Sequence, residues 1–286
     1  MFEKNNKNLN LGEIFLKITM CFAFFSVLFI FFSIIFYIIL NGIRFVSLKF
    51  VFNIYSEYFA ENKGILPMII NTLYILILSL VFVIPLGVCS AIYLTQYARD
   101  GILTKIINIA IDMLSGVPSI IYGLFGLAVF CNFFKLGTSI LSGCLTMILC
   151  SLSVVIKSSS ETLKSVPVTY KKAAEALGAS KLKIILTVIL PSSFSGIITS
   201  IILASSRIMG ETSALIYTTG MGYKMPKNIF SHIFKSGRTL TLHLYQCAKQ
   251  SNTPDAYNIA FGTALVILIL VFILNFLLIL IERNKF

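Results

Sequence analysis

In a stretch otherwise empty of charge, Ser192–Ala214, stand two ionised residues four apart, Arg207 and Glu211. A guanidinium is always charged and presents a planar fork of donors that matches an oxyanion in two places at once. A carboxylate one helical turn away can hold that fork in position. On a 100° helical wheel Ser193, Gly196, Ser200, Ala204, Arg207 and Glu211 share one side, a small and polar face that belongs in the interior of a helix bundle. A second such series runs Asp112, Ser115, Gly116, Ser119, Tyr122, Gly123 and Gly126, with Pro118 placed to kink or break its helix. Ser119 and Tyr122 are candidates for lining a polar path, and the glycines for close packing. The alternative for Arg207 and Glu211 is a structural ion pair that fixes helix packing. Other chemistry is poorly served. His232 and His243, 11 residues apart, form no metal signature and read as ordinary loop residues. No C-x-x-C pair occurs among the six cysteines, five of which lie in apolar runs and read as small buried hydrophobes. No phosphate-cradling G-x-x-x-x-G-K-[ST] is present, so ATP chemistry is not expected in this chain, and neither is a metal site or an enzymatic activity.

The elements that hold these residues are set by composition. Of 286 residues 57% are hydrophobic and 12% charged, about half the charged fraction of soluble domains. Ile18–Leu40, Met68–Leu94, Leu136–Ile156 and Ile259–Ile281 carry no charge at all. Each reaches the roughly 20 apolar residues that cross ~30 Å of hydrocarbon. They are apolar all round, unlike the single stripe of a soluble helix. Adding 106–134 and 192–214 gives six spans, about 18–40, 68–94, 106–134, 136–156, 192–214 and 259–281, in an all-α membrane protein with a single transmembrane domain over 18–286. The first run is followed by Asn41-Gly42-Ile43-Arg44, without a small-x-small site, and is read as a retained helix. Arg207 lies about 15 residues from Ser192, or ~22 Å along a helix, at or beyond the membrane midplane. Burying charge there costs about 2.5–3.5 kcal/mol on the insertion scale, so such residues are functional by default.

An even number of spans puts both termini on one side. With residues 1–17 cytoplasmic, thirteen Lys and Arg lie inside and nine outside, five of those nine in the long 215–258 connection, where the positive-inside rule is weakest. The net charge of +12 is therefore assigned to membrane topology. Nucleic acid is not an expected partner, because the basic residues form no patch with interleaved aromatics. The outer loop 215–258 is a candidate to re-enter the protein. The inner loop 157–191 carries helix signals: Ser158 and Glu161 have capping-box spacing, Pro167 suits a first turn and Gly178 a left-handed end. Between Pro167 and Gly178 a helix of about ten residues is predicted, ~15 Å long. Tyr170, Ala173, Ala174 and Leu177 share one of its faces, and Lys171 can pair with Glu175 on another. Spacing alone fits equally a helix lying on anionic lipid and a knob that enters a groove on a soluble partner.

A resemblance favours the knob. Lys172-Ala173-Ala174-Glu175-Ala176-Leu177-Gly178, followed by Val188-Ile189-Leu190-Pro191, resembles the E-A-A-x-x-x-G-x9-I-x-L-P loop of bacterial ABC importer permeases, with Lys172 in place of the Glu and Val188 in place of the Ile. From about Gly64 onward, Gly116-Val-Pro-Ser-Ile-Ile-Tyr-Gly-Leu-Phe-Gly126, Arg207-Ile-Met-Gly-Glu-Thr212 and Thr239-Leu-Thr-Leu-His-Leu-Tyr245 are similar to the A-type permease subunit of phosphate-specific ABC transporters. The resemblance implies a type I ABC importer permease fold in a bacterial inner membrane, with 157–191 as the cytoplasmic coupling loop. It implies that Tyr170, Ala173, Ala174, Glu175, Leu177 and Gly178 dock an ATPase. Thr212 joins Arg207, Glu211, Ser119, Tyr122 and Asp112 as path residues. The implied partners are a C-type permease homologue, two copies of the ATPase, which bind ATP and magnesium, an extracytoplasmic phosphate-binding protein and the lipid bilayer. A permease for another oxyanion and an ion-coupled secondary transporter are the competing readings.

Overall fold

The computed structural model describes residues 11–54, 64–99, 101–226, 228–249 and 255–283. Lys4, Lys7, Lys63, Lys227 and Lys285, which entered the charge comparison, lie outside them. In chain order come α1 (Leu11–Gly42), α2 (Leu48–Phe52), α3 (Leu66–Ile92), α4 (Ile102–Gly116), α5 (Ser119–Gly126), α6 (Ile140–Ser165) and α7 (Val168–Ala176). They are followed by α8 (Lys181–Ile184), α9 (Leu190–Ser192), α10 (Phe194–Gly210), α11 (Leu215–Thr218), α12 (Ile229–His232), α13 (Leu240–Lys249) and α14 (Ala256–Arg283). Wide π turns extend α3 to Tyr97 and α5 to Phe133, and join α8 to α9 as one elbow over 181–192. Four described helices are long and apolar enough to cross a membrane, and six spans result if each of two bent pairs counts as one.

The bends relocate expected features. Helix α4 and the α5 segment meet at 100°, because Val117 and Pro118 are extended and the ring of Pro118 cannot continue the ladder. The Asp112-to-Gly126 series is therefore not one continuous face. The elbow 181–192 meets α10 at 67° at Ser193, so the fifth span begins from a bent approach rather than from a straight helix over 192–214. The fourth begins at Ile140, where Ser139 accepts from Ser142 N, and runs on to Ser165. Ser158 and Glu161 thus sit inside α6 rather than at a helix start. Propagating an existing helix adds a bond per residue without a new nucleus, which outweighs a local cap.

Helix α6 forms the axis, buried along most of its length against α3 and α10. The polar face of α10 is used in this contact: Ser200 Oγ donates to Ser158 Oγ at 2.9 Å and Ser159 Oγ to Ser200 Oγ at 3.3 Å. At Gly196 the helices approach so closely that a Cβ would stand 2.2 Å from Thr162 Cγ2. Small residues and hydroxyls hold helices together where apolar burial gives no preference over lipid. Peripheral α14 is tied to α10 by Ser206 Oγ donating to Asn275 Oδ1 at 3.2 Å, and by a short bond from Ser195 Oγ to Glu282 Oε1. Helix α1 meets α14 near its C-terminal end, where Tyr37 packs edge-on against Phe261. Most of its remaining large side chains are exposed, as on a lipid-facing helix. Cys131, Cys144, Cys150 and Cys247 are buried, whereas Cys21 and Cys89 are exposed on helix surfaces, contrary to the uniform burial expected.

The long connection from Glu211 onward folds back into the protein. It supplies the partners that the first amides of α6 lack: Ser139 N donates to Thr218 O, Ile140 N to Lys235 O and Leu141 N to Ile233 O, at 2.9–3.0 Å. Asn71 and Thr72 of α3 pin its far strand. Asn71 Nδ2 donates to Arg238 O, and Leu240 N donates to Thr72 Oγ1. Because the Asn71 nitrogen is a donor there, its oxygen accepts, and His232 at 2.8 Å must present Nε2–H to it. His232 and His243 are both buried, not surface residues.

Candidate functional site

Two regions collect the residues singled out in the sequence. The first is the turn between α6 and the elbow. Pro167 is the N-cap of α7, and Gly178, at φ +77°, takes the left-handed conformation that ends it. Gly178 N donates to Glu175 O and Ala179 N to Ala174 O, which closes the helix over nine residues. Ala174 faces inward, against the cluster of Ala91, Leu163, Ile184, Ile185 and Ile189. The face expected to hold Tyr170, Ala173, Ala174 and Leu177 together is thereby divided. Tyr170 is 55% exposed and Leu177 88%, with Ala173, Glu175 and Gly178 also exposed. Lys171 and Glu175 make no ion pair within 4 Å. What remains is a rigid, short helix presenting an aromatic and a leucine with small residues between them. This surface can be covered only by something outside the described residues, since nothing in them covers it.

The second region is at the end of α10. The helix stops at Gly210, and Glu211 is extended. Its carboxylate is turned away from Arg207: Glu211 Oε1 accepts from Ser213 N at 3.0 Å and Ala214 N at 3.3 Å, capping the turn that leads into α11. A carboxylate at exposed amides before a short helix satisfies donors and matches the helix dipole. Thr241 Oγ1 donates to Glu211 O, which fixes the same turn from the re-entrant side. The expected i,i+4 pair therefore does not form, because residue 211 is no longer on the helix. Arg207 is half-buried, with no carboxylate within 4 Å among the described residues.

Tyr122 is buried, and its hydroxyl donates to Leu114 O at 2.7 Å. Pro118 has no N–H to give that carbonyl, which accepts from Val117 N at 3.3 Å and from the phenol, so Tyr122 stitches α5 to α4 across the break. Ser119 is the first, half-buried residue of α5. Asp112 does not join them: it is paired at 2.8 Å with Lys157, and both side chains are about half exposed or more (61% and 47%). Thr212 lies elsewhere again, lining a hollow of about 580 Å³ between α10, α13 and α14 with Thr241, Leu244 and Asn275. Of the expected path residues, Ser119 and Tyr122 share α5 and Arg207 and Glu211 flank the end of α10, whereas Asp112 is paired with Lys157 and Thr212 lines a hollow of its own. Asn71 and Asn275 carry no signal in the sequence: each is a lone polar residue whose partner is remote in the chain.

Among the described residues no group of three or more His, Cys, Asp or Glu could hold a metal ion. Residues 83–285 match the family described as "Binding-protein-dependent transport system inner membrane component". The chain is similar to "Probable ABC transporter permease protein YqgI" of Bacillus subtilis, 36% identical over 250 residues and covering 84% of each chain. It is also similar to "Phosphate transport system permease protein PstA" of Pasteurella multocida, 29% identical and covering 91% of each chain. To the "Phosphate transport system permease protein PstA homolog" of Mycoplasma genitalium it is 34% identical, over 73% of this chain and 32% of that one. Among solved structures it shares its fold with a bacterial alginate ABC transporter (TM-score 0.64, 15% identity, 96% of this chain and 97% of that one). The MetNI methionine ABC transporter gives a TM-score of 0.58 at 14% identity, over 78% of this chain and 95% of that one. With an all-helical fold of this type and a match spanning most of its length, the chain belongs to the family of binding-protein-dependent transport system inner membrane components, the permeases of ABC importers.

Proposed function

We propose that this chain is the A-type permease half of an ATP-driven importer of inorganic phosphate. The observation that carries the substrate reading is Arg207, a half-buried guanidinium whose nearest sequence partner, Glu211, is occupied in capping a turn. A half-buried fork with no carboxylate within 4 Å among the described residues suits an oxyanion in two-point contact. The names of the Pasteurella and Mycoplasma relatives support phosphate in particular. Tyr122 and Ser119 of α5 add to the lining of the path in this reading. In this reading a C-type homologue completes the path. The exposed face of α7 docks one of two ATPase subunits, which bind ATP and magnesium and hydrolyse the nucleotide. An extracytoplasmic binding protein delivers phosphate, and both termini lie on the cytoplasmic side of the inner membrane together with α7.

The test is radiolabelled phosphate uptake into proteoliposomes holding this chain with its C-type partner and ATPase, with binding protein outside and ATP trapped inside. Uptake should require both ATP and binding protein, and excess sulfate or phosphonate should not compete. Arg207→Ala should abolish it, with Arg207→Lys recovering part, since the point charge remains without the fork. Entry of another oxyanion in place of phosphate would refute the substrate. Uptake driven by an ion gradient without the ATPase would refute the docking role of α7.

A further inference from the structure

Helix α10 has a second side. Counted at 100° per residue, Phe194, Ile198 and Ile201 lie about 120–180° around its wheel from Arg207, and together with Ile197, about 80° away, they form one wall of a hollow of about 720 Å³. The other walls are Pro85, Val88 and Ile92 of α3 and Leu186 and Leu190 of the elbow, with no charged residue among the lining. Arg207 is not among the residues that line it.

Its mouth is basic. Lys181, the first residue of the elbow, stacks its ammonium 4.5 Å from the centre of the Tyr97 ring, joining elbow to α3. Lys183 is exposed and stands one turn before Leu186. Because the elbow meets α10 at 67°, it runs closer to the membrane plane than to its normal when α10 spans. Leucines on one face with lysines at one end are the features of a segment lying at a lipid interface. Along the elbow the lysines thus come first and the apolar lining residues Leu186 and Leu190 follow.

We propose that this hollow binds an anionic phospholipid of the cytoplasmic leaflet, an acyl chain lying between α3 and the elbow and the phosphate held at Lys183 beside Lys181. The proposal takes only the choice of leaflet from the preceding reading of orientation. The charge at the rim commits the site to an anionic headgroup, because a zwitterionic one gains little from two ammonium groups. Each lysine near an anionic surface contributes about fivefold in binding.

The chain contains no tryptophan, so Leu186→Trp places a fluorescent reporter at the hollow in an exposed position. Its emission is read in the assembled transporter in nanodiscs, after subtraction of the same complex without the substitution. Either phosphatidylglycerol or phosphatidylcholine carries brominated acyl chains. Brominated phosphatidylglycerol is expected to quench at a mole fraction at least about fivefold lower, and Lys183→Glu in the same background should remove that preference. Lys183→Gln should give an intermediate result. Equal quenching by the two lipids means ordinary boundary lipid and overturns the proposal. So does an absence of quenching by either, which means that a protein segment fills the hollow. No transported substrate enters this assay, so its failure leaves the phosphate reading standing, and failure of phosphate uptake leaves the lipid site standing.

Discussion

Leu177 is 88% exposed at the end of α7. Its side chain therefore contributes almost nothing to the stability of the chain itself. If α7 enters a groove on an ATPase, that side chain is buried on docking. Leu177→Ala removes the equivalent of three methylene groups, each stabilising by about 0.8 kcal/mol when buried, or about 2.4 kcal/mol in all. At 1.4 kcal/mol per tenfold, the dissociation constant for the ATPase should rise about 50-fold. The measurement is ATPase binding to the permease pair in nanodiscs, alongside the thermal melt of the permease in detergent. The melt should not move. Leu163→Ala supplies the contrast: Leu163 is 2% exposed beneath the same turn, so its truncation should destabilise the chain by about 2–5 kcal/mol. A drop in melting temperature for Leu177→Ala would show that the residue is packed within the chain. An unchanged dissociation constant with an unchanged melt would refute the docking role of this face.

Gly178→Ala imposes a side chain on a φ of +77° with open space around it, so its penalty is backbone strain alone, about 1–2 kcal/mol. ATPase binding should weaken, and Gly178→Asn should recover most of it, since Asn tolerates that conformation; equal behaviour of the two variants would refute strain as the cause. Gly123→Ala would put a Cβ 2.9 Å from both the Cα and the carbonyl oxygen of Ala214; backbone cannot yield as a side chain does, and a loss of about 1–3 kcal/mol in the melt is expected. Burial is the leading cause that lowers the pKa of His232 and His243, followed by the charge of Lys235 at the first and Arg238 at the second, and His243 is pushed down to about 3. Unfolded, both titrate near 6.5, so the unfolded chain binds more protons below that value. The stability is fully present above pH 6.5 and is lost as pH falls below it. Melting temperature should be flat from pH 8 to about 7 and fall below 6.5, and replacing both histidines by Gln should flatten the profile; an unchanged pH slope in the double variant would refute the assignment.

The amino-acid sequence alone determined the features that rest on local chemistry. Apolar runs too long and too uniform for a water-facing helix specify the membrane fold, since each must satisfy its backbone internally in hydrocarbon. Pro167 and Gly178 bound α7 because one suits a helix start and the other its left-handed end. Pro118 breaks the third span for the steric reason that it breaks any helix. Only the tertiary structure decided what becomes of the polar residues. The spacing of Arg207 and Glu211 is that of an ion pair, yet the helix ends between them and the carboxylate caps a turn instead. Ser158 and Glu161 have the spacing of a cap, yet they lie within α6, which packs Ser158 against Ser200. The two histidines are drawn into the interior by a connection whose bonds to α3 span 161, 167 and 168 residues. No local periodicity encodes contacts of that separation. A buried polar group takes whichever partner the packed helices bring within reach, and that is settled only when the chain has folded.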